Sequence, residues 1–225
     1  MERHLDDELK KLNTDLLKMA TLTEEAISKA IAALTKQDIK LAEETIIADK
    51  KIDELENKIE EESIEILALF QPMAKDLRFI TTAMCMKTGL EEIADLTVNI
   101  CQRVKEIADK PVLKPLSDIP PLADNAKKMV KNAIDAFVNH DDKLARQVVL
   151  SDQVSNNLRN TIIHELIADY MVKDGKTAPR AIPILLVARD LERISDYAAS
   201  MAEDIIYMIH AKMVKHHPEM LKNDS

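Results

Sequence analysis

One sequence pattern that contains two carboxylates four residues apart occurs twice in this chain, about a hundred positions apart, within sequence of helical character. Glu91 and Asp95 form one pair, and Glu192 and Asp196 form the other. Residues four apart share one face of a helix, and two like charges there repel each other by roughly 0.2–0.5 kcal/mol. A cation bound between the two acids would remove that cost. The recurring pairs therefore point first to metal binding.

The sequences around the two pairs are alike, which indicates an internal duplication. Residues 90–95 (LEEIAD) match residues 191–196 (LERISD). Upstream, residues 38–42, which lead to Asp49, match residues 141–145, which lead to Asp152. The acids therefore occupy corresponding positions in two copies of one unit.

The composition favours a fold made only of helices. The chain has two glycines in 225 residues, where average usage would give roughly sixteen, so sheets with tight turns are improbable. Apolar residues make up 46% and charged residues 32% of the chain, a mixture typical of long amphipathic helices. We predict an all-α protein.

Charge and hydropathy exclude several kinds of partner. A net charge of −9 and six aromatic residues offer neither a phosphate-neutralising surface nor a platform for stacking bases, so nucleic acid is an unlikely ligand. The longest apolar run, residues 181–188, is far shorter than the ~20 residues of a membrane-spanning helix. The N-terminus lacks the apolar core of a signal peptide. We expect a cytoplasmic protein without a transmembrane segment.

Apolar residues recur at helical spacing over six long segments. The predicted helices cover 5–36, 38–71, 74–109, 121–139, 141–174 and 178–215. Prolines cluster between positions 111 and 121, which is typical of a stiff linker. We therefore predict two tandem three-helix bundles, with a first repeat at 1–110, a linker at 111–120, a second repeat at 121–217 and a tail at 218–225.

The turn near Pro72 sets the heights of the acids in the first repeat. Asp49 and Asp53 lie about twenty residues before it, and Glu91 and Asp95 about twenty after it. In an antiparallel hairpin, equal distance from the turn means equal height on neighbouring helices. We expect these four carboxylates to face one another and to bind metal. Their oxygens would suit iron, manganese, magnesium, calcium or zinc, and the sequence does not choose among these ions.

The second repeat has a less complete set of acids. Asp152, Glu192 and Asp196 correspond to Asp49, Glu91 and Asp95 of the first repeat. The remaining acid is replaced by Asn156, or by Ser155 if the register differs by one position. We predict a second metal site with fewer ligands and weaker binding.

Two motifs in this order resemble the PhoU family over essentially the whole chain. The first motif is QPMAKDLR at residues 71–78. The second motif occurs once in each repeat, as LEEIAD at residues 90–95 and within ARDLERISDY at residues 188–197. PhoU proteins carry a QPxAxDLR turn and an LERIxD helix in a tandem repeat of three-helix bundles. Glu92 departs from this pattern, because the second repeat has the more usual residue, Arg193, at that position.

The resemblance implies a cytoplasmic negative regulator of the phosphate-starvation response. Such proteins act between the phosphate ABC transporter, with its ATPase, and a PhoR-type sensor histidine kinase. Some members bind multinuclear metal clusters through E(D)xxxD motifs. Carried over to this chain, the resemblance assigns one cluster to Asp49, Asp53, Glu91 and Asp95, and another to Asp152, Glu192 and Asp196.

Three other interpretations stay open. The acids could form an ordinary solvated face, paired with Lys50, Lys87, Arg189 and Arg193. The protein could be a metal-free helical adaptor for another transporter. It could be a carboxylate-bridged di-metal enzyme, but that class needs Glu-x-x-His on two helices, and this spacing does not occur in the chain. We therefore predict no catalytic activity. The eleven methionines are candidates for core packing or for subunit contacts in a homodimer.

Overall fold

The computed structural model describes residues 2–111, 113 and 119–215. Most of these residues are helical. The α-helices are α1 (Glu2–Lys36), α2 (Ile39–Ala48), α3 (Lys50–Phe70), α4 (Ala74–Ile107), α5 (Ile119–Asn139), α6 (Asp142–Glu165) and α7 (Ala178–His210). A π-helical turn (Leu166–Met171) and a 3₁₀ turn (Gly175–Thr177) connect α6 to α7. No strand occurs within these described ranges. The all-α prediction is confirmed.

Two aspartates begin the equivalent helices of the two repeats. Asp38 accepts a hydrogen bond of 3.0 Å from the backbone N–H of Leu41, and Asp141 accepts one of 3.0 Å from that of Leu144. Each carboxylate thereby satisfies a backbone donor that would lack a partner at the start of a helix. The duplication therefore preserves the cap as well as the acids downstream of it.

The predicted helix at 38–71 is interrupted at Asp49, which lies between α2 and α3. Asp49 keeps helical backbone angles (φ −55°, ψ −36°), so the chain direction is maintained. Its carbonyl accepts hydrogen bonds from the N–H groups of Ile52 at 2.7 Å and Asp53 at 3.2 Å. A tightened turn of this kind inside a helix often marks a functional position. Here it falls on a predicted metal ligand.

Several predicted boundaries differ from the observed ones. The last α-helix ends at His210, where Ala211 takes a left-handed conformation, and the fifth predicted helix changes to a π-helical turn after Glu165. Linker residues 112 and 114–118, and the tail at 218–225, lie outside the described residues. The proposed domain limits therefore stay predictions.

The two three-helix units pack against each other through α4 and α7 and, to a lesser extent, through α1 and α5. Their buried apolar side chains form one continuous core. Phe79 of α4 stacks on Phe137 of α5, with ring centroids 5.3 Å apart. The tandem bundles are thus halves of one six-helix arrangement, which the repeat pattern alone did not predict.

Glycine brings the two central helices close together. A Cβ atom added to Gly89 of α4 would lie 2.9 Å from Cγ of Met201 on α7. That distance is too short for two carbon atoms, so any side chain at position 89 must displace Met201. This close packing lies at the interface between the repeats.

Arg78 of the QPMAKDLR turn contacts the second repeat. Its Nε donates a 3.0 Å hydrogen bond to the carbonyl of Met208 on α7. Of the two cysteines, Cys101 is buried and Cys85 is exposed. Arg78 therefore joins the start of α4 to the end of α7.

Replacing Gly89 with valine should destabilise the protein by about 1–3 kcal/mol, because the added atoms overpack the α4–α7 contact. For a domain of this size, each kcal/mol lowers the melting temperature by roughly 2–4 °C. Thermal denaturation followed by circular dichroism measures the change. Thr88→Val at the exposed neighbouring position is the control. An equal effect of both variants would contradict the role assigned to close packing.

Candidate metal centres

The structure brings together the first carboxylate set, which comprises Asp49, Asp53, Glu91 and Asp95. Burial raises the pKa of Glu91 to about 7, and the charge of Asp95 adds to this effect. Burial also raises the pKa of Asp49 to about 6, with further contributions from Asp53 and Asp95. Acids affect each other in this way only when they are close in space. The four acids that the turn was expected to bring together are therefore near one another in the fold.

None of these four acids forms an ion pair with another residue in the described part of the chain. Lys87, a candidate partner, instead binds Glu56 at 3.0 Å and Glu60 at 2.8 Å. Lys50 points toward Glu54 at 4.0 Å. The lysines that could have explained an ordinary solvated face are therefore paired elsewhere.

Two further acids border the first carboxylate set. The negative charges of Glu56 and Glu92 both raise the pKa of Glu91, after the larger effects of burial and Asp95. Glu56 follows Asp53 by three positions, so it falls outside the four-residue spacing from which the metal ligands were predicted. Glu92 accepts a 2.9 Å hydrogen bond from the hydroxyl of Tyr197 on α7. This bond connects the rim of the first set to the second repeat.

The second carboxylate set comprises Asp152, Glu192 and Asp196, and these acids also lie together. Burial raises the pKa of Asp152 to about 6, and the charges of Asp196 and Glu192 contribute. The hydroxyl of Ser155 is buried and lies 2.6 Å from that of Ser195. Ser155 thus faces the core, and Asn156 is the counterpart of the missing acid, as the main register predicted.

An arginine that the sequence analysis did not consider lies within the second set. Nη1 of Arg159 is 2.8 Å from Oε1 of Glu192, and Nη2 donates a 3.0 Å hydrogen bond to Oδ1 of Asn156. Asp152 follows Asp49 by 103 positions, and Arg159 follows Glu56 by the same number. This alignment of the repeats was the signal that could have identified both Glu56 and Arg159.

The chemistry of the first set fits a hard cation, since its donors are carboxylate oxygens without ion-pair partners. Among the described residues, however, no three His, Cys, Asp or Glu side chains already converge as ligands of one ion. Side-chain rotation would be needed to close the site around a metal. In the second set, Oδ1 of Asp152 is buried and accepts no hydrogen bond from an N–H or hydroxyl donor among the described residues. The Asp152 carboxyl group is, however, close enough to that of Asp196 for a hydrogen bond when one of the two is protonated.

Comparison with known proteins identifies the family. The PhoU domain matches this chain twice, at residues 16–104 and 119–205. The chain belongs to the PhoU family. The two PhoU matches coincide with the two repeats, so the internal duplication predicted from the acid motifs is confirmed.

Relatives extend over nearly the whole chain. The phosphate-specific transport system accessory protein PhoU homolog of Aquifex aeolicus is 38% identical over 209 residues, covering 93% of this chain and 94% of that protein. PhoU homolog 2 of Thermotoga maritima is 31% identical and covers 98% of this chain and 94% of that protein. The chain is therefore a homologue of phosphate transport accessory proteins.

Solved structures agree with this assignment. The crystal structure of PhoU from Pseudomonas aeruginosa aligns with a TM-score of 0.89 at 31% identity, covering 92% of this chain and 99% of that one. The phosphate transport system regulatory protein PhoU from Streptococcus pneumoniae aligns with a TM-score of 0.87 at 26% identity, with coverages of 93% and 99%. PhoU is a non-enzymatic family, so the prediction of no catalytic activity is confirmed.

No helix in the described part of the PhoU chain has the length and apolarity needed to cross a membrane.

Replacing Glu91 with glutamine should stabilise the metal-free protein by about 1 kcal/mol at pH 8, because it removes a charge that burial and nearby acids disfavour. The pKa of Glu91 is raised from 4.5 to about 7 on folding. The carboxyl group therefore weakens folding progressively as pH rises through this interval. The advantage of the variant should be small at pH 5 and full above pH 7.

Urea denaturation in the presence of a chelator at pH 5 and pH 8 measures this difference. Glu65→Gln on the exposed face of α3 is the control for loss of one negative charge. A destabilised Glu91→Gln protein at pH 8 would show that Glu91 has a favourable partner when no metal is bound.

Proposed function

We propose that this protein is a metal-binding regulator of phosphate uptake, in which the first carboxylate set holds the metal. The observation that carries the proposal is the proximity of four acids that lack an ion-pair partner in the described part of the chain. Bringing such charges together costs free energy unless a cation compensates for it. The metal-bound protein would therefore be more stable than the metal-free one.

Asp49, Asp53, Glu91 and Asp95 would hold the metal, and Glu56 and Glu92 would complete the negative surroundings. A bound ion would supply charge neutralisation and would fix α3 relative to α4. Iron, manganese, magnesium and zinc all remain candidates. The second set, with three acids and Asn156, would bind metal more weakly.

The names of the relatives support a role in phosphate transport. Those proteins are named phosphate-specific transport system accessory proteins, and a similar structure is named a phosphate transport system regulatory protein. We propose that this chain works at the cytoplasmic face of the membrane, between the ATPase of a phosphate ABC transporter and a PhoR-type sensor histidine kinase, the partners that the family resemblance implies. It would hold the kinase in its phosphatase-like state when phosphate is plentiful. The homodimer considered above stays a prediction.

Such a protein transmits a signal without chemistry of its own. Metal ions on the surface of the first repeat would order its acidic face for contact with a partner. The alternative function is a metal-free adaptor, in which the same acids contact a basic surface of the partner directly.

The double variant Glu91→Gln/Asp95→Asn should lose tightly bound metal. Protein purified without chelator and analysed by elemental mass spectrometry gives the number of ions per chain. The control is Glu61→Gln/Glu65→Gln, which removes two exposed charges with the same spacing from α3. Metal retained equally by both variants would exclude the first carboxylate set, and its absence from the wild-type protein would favour the metal-free adaptor.

Capture of the transporter ATPase and the sensor kinase should depend on the same acids if the metal-bearing face is the docking surface. The immobilised chain is incubated with each purified partner, with and without chelator. We expect both Glu91→Ala/Asp95→Ala and chelator to reduce capture of at least one partner several-fold. Unchanged capture would show that docking uses another surface, even if metal binding is confirmed.

A further inference from the structure

We infer that the guanidinium of Arg159 is the resident cation of the second carboxylate set, so that this chain binds metal tightly only in its first repeat. The inference rests on the proposed metal-binding function and deepens it, because it assigns the metal to one of two duplicated sites. The two repeats would then hold their acids together by different means.

The contacts of Arg159 are those of a cation that holds a site together. Its Nη1 lies 2.8 Å from Oε1 of Glu192, whose side chain is almost completely buried. Its Nη2 donates to Oδ1 of Asn156 at 3.0 Å, and the amide of Asn156 in turn donates to Oδ2 of Asp152 at 2.9 Å. A buried carboxylate requires such a partner. Arg159 thus connects α6 to α7 at the height where a metal would bind.

The charge of the second set differs from that of the first at two matched positions. Asn156 stands where the first repeat has Asp53, and Arg159 stands where it has Glu56. The guanidinium of Arg159 lies 2.8 Å from Oε1 of Glu192 and compensates its charge. In the first repeat the residue at the corresponding position, Glu56, is itself an acid, and its carboxylate pairs with Lys87 at 3.0 Å. The same position therefore supplies a cation in one repeat and an anion in the other.

A metal ion entering the second set would have to displace a tethered guanidinium. Because Arg159 is covalently part of the site, its effective concentration there is far higher than that of a dissolved metal. It also occupies an oxygen of Glu192 that a metal would need. The buried Oδ1 of Asp152 accepts no hydrogen bond from an N–H or hydroxyl donor among the described residues, but one carboxylate oxygen is a poor site for an ion that takes six or more.

The test is the number of Mn²⁺ ions bound per chain by the full-length protein after metal has been stripped with chelator. Equilibrium dialysis followed by elemental analysis counts the ions, and electron paramagnetic resonance of free Mn²⁺ checks the count. Arg159→Glu restores the residue of the first repeat and should bind one further Mn²⁺ per chain. Its melting temperature should also rise more on Mn²⁺ addition than that of the wild type.

Lys143→Glu is the matched control. It makes the same change of charge at an exposed position of α6, sixteen residues and therefore about 24 Å from Arg159 along the helix axis. It should bind as many ions as the wild type. Arg159→Gln provides a second, milder variant if the glutamate variant is poorly folded by circular dichroism, and it should also gain Mn²⁺ affinity. The reciprocal Glu56→Arg should lose the tightly bound ion of the first repeat.

The outcomes separate this inference from the proposed function. If the folded variants at position 159 gain no Mn²⁺, or if wild-type protein loses an ion on Glu192→Gln, the inference is wrong while metal binding by the first repeat stands. If the wild type binds none but Arg159→Glu binds one, the proposed function is wrong and the role of Arg159 is supported. Failure of both proteins to bind Mn²⁺ overturns both.

Discussion

The short turn at residues 71–73 determines the height at which α3 and α4 meet, and the first carboxylate set depends on it. Two helices of the same rise that leave one turn in opposite directions place residues equally distant from it side by side. Acids four apart on each helix then form a group of four at one level. Lengthening either arm by a single residue would rotate its acids by about 100° away from the partner helix, so the spacing matters as much as the acids themselves.

This constraint explains how much of the site could be predicted from sequence. The level of Asp49 and Asp53 with Glu91 and Asp95 follows from counting along two regular helices, and counting needs no tertiary information. Arg159 could not be recognised by the same reasoning, because its role depends on the direction of a long side chain toward Glu192. The ion pairs of Lys87 with Glu56 and Glu60 were likewise invisible, since several acids were within reach.

The fold was predictable at the level of elements and less so in their packing. Scarce glycine and helical periodicity suffice for six helical segments, and the caps at Asp38 and Asp141 follow from residue type. The interruption at Asp49 could not be predicted from the sequence. The backbone angles of Asp49 remain helical, so the position does not require a residue type that would reveal it. Nor does periodicity show that Arg78 reaches the carbonyl of Met208. Both depend on how the second repeat packs against the first.

The two copies have diverged since the duplication, and they now differ in the charged residues that surround their carboxylates. Each copy collects carboxylates between its second and third helices, and each needs positive charge there. In the second repeat Arg159 provides this charge, and the buried hydroxyls of Ser155 and Ser195 form a hydrogen bond between α6 and α7. The first repeat has Ile52 and Ala94 at the positions that correspond to these two serines.

With Ile52 and Ala94 in place of the two serines and Glu56 in place of Arg159, the first repeat would, under the proposed function, take its cation from solution and would be the copy able to respond to metal. The bond between Tyr197 and Glu92 joins the two copies at this point. The rim of the first carboxylate set is therefore linked to α7, the helix that carries Glu192 and Asp196. If metal binds as proposed, one copy would carry its own cation and the other would take one from solution, so that a constant half and a variable half would be in contact.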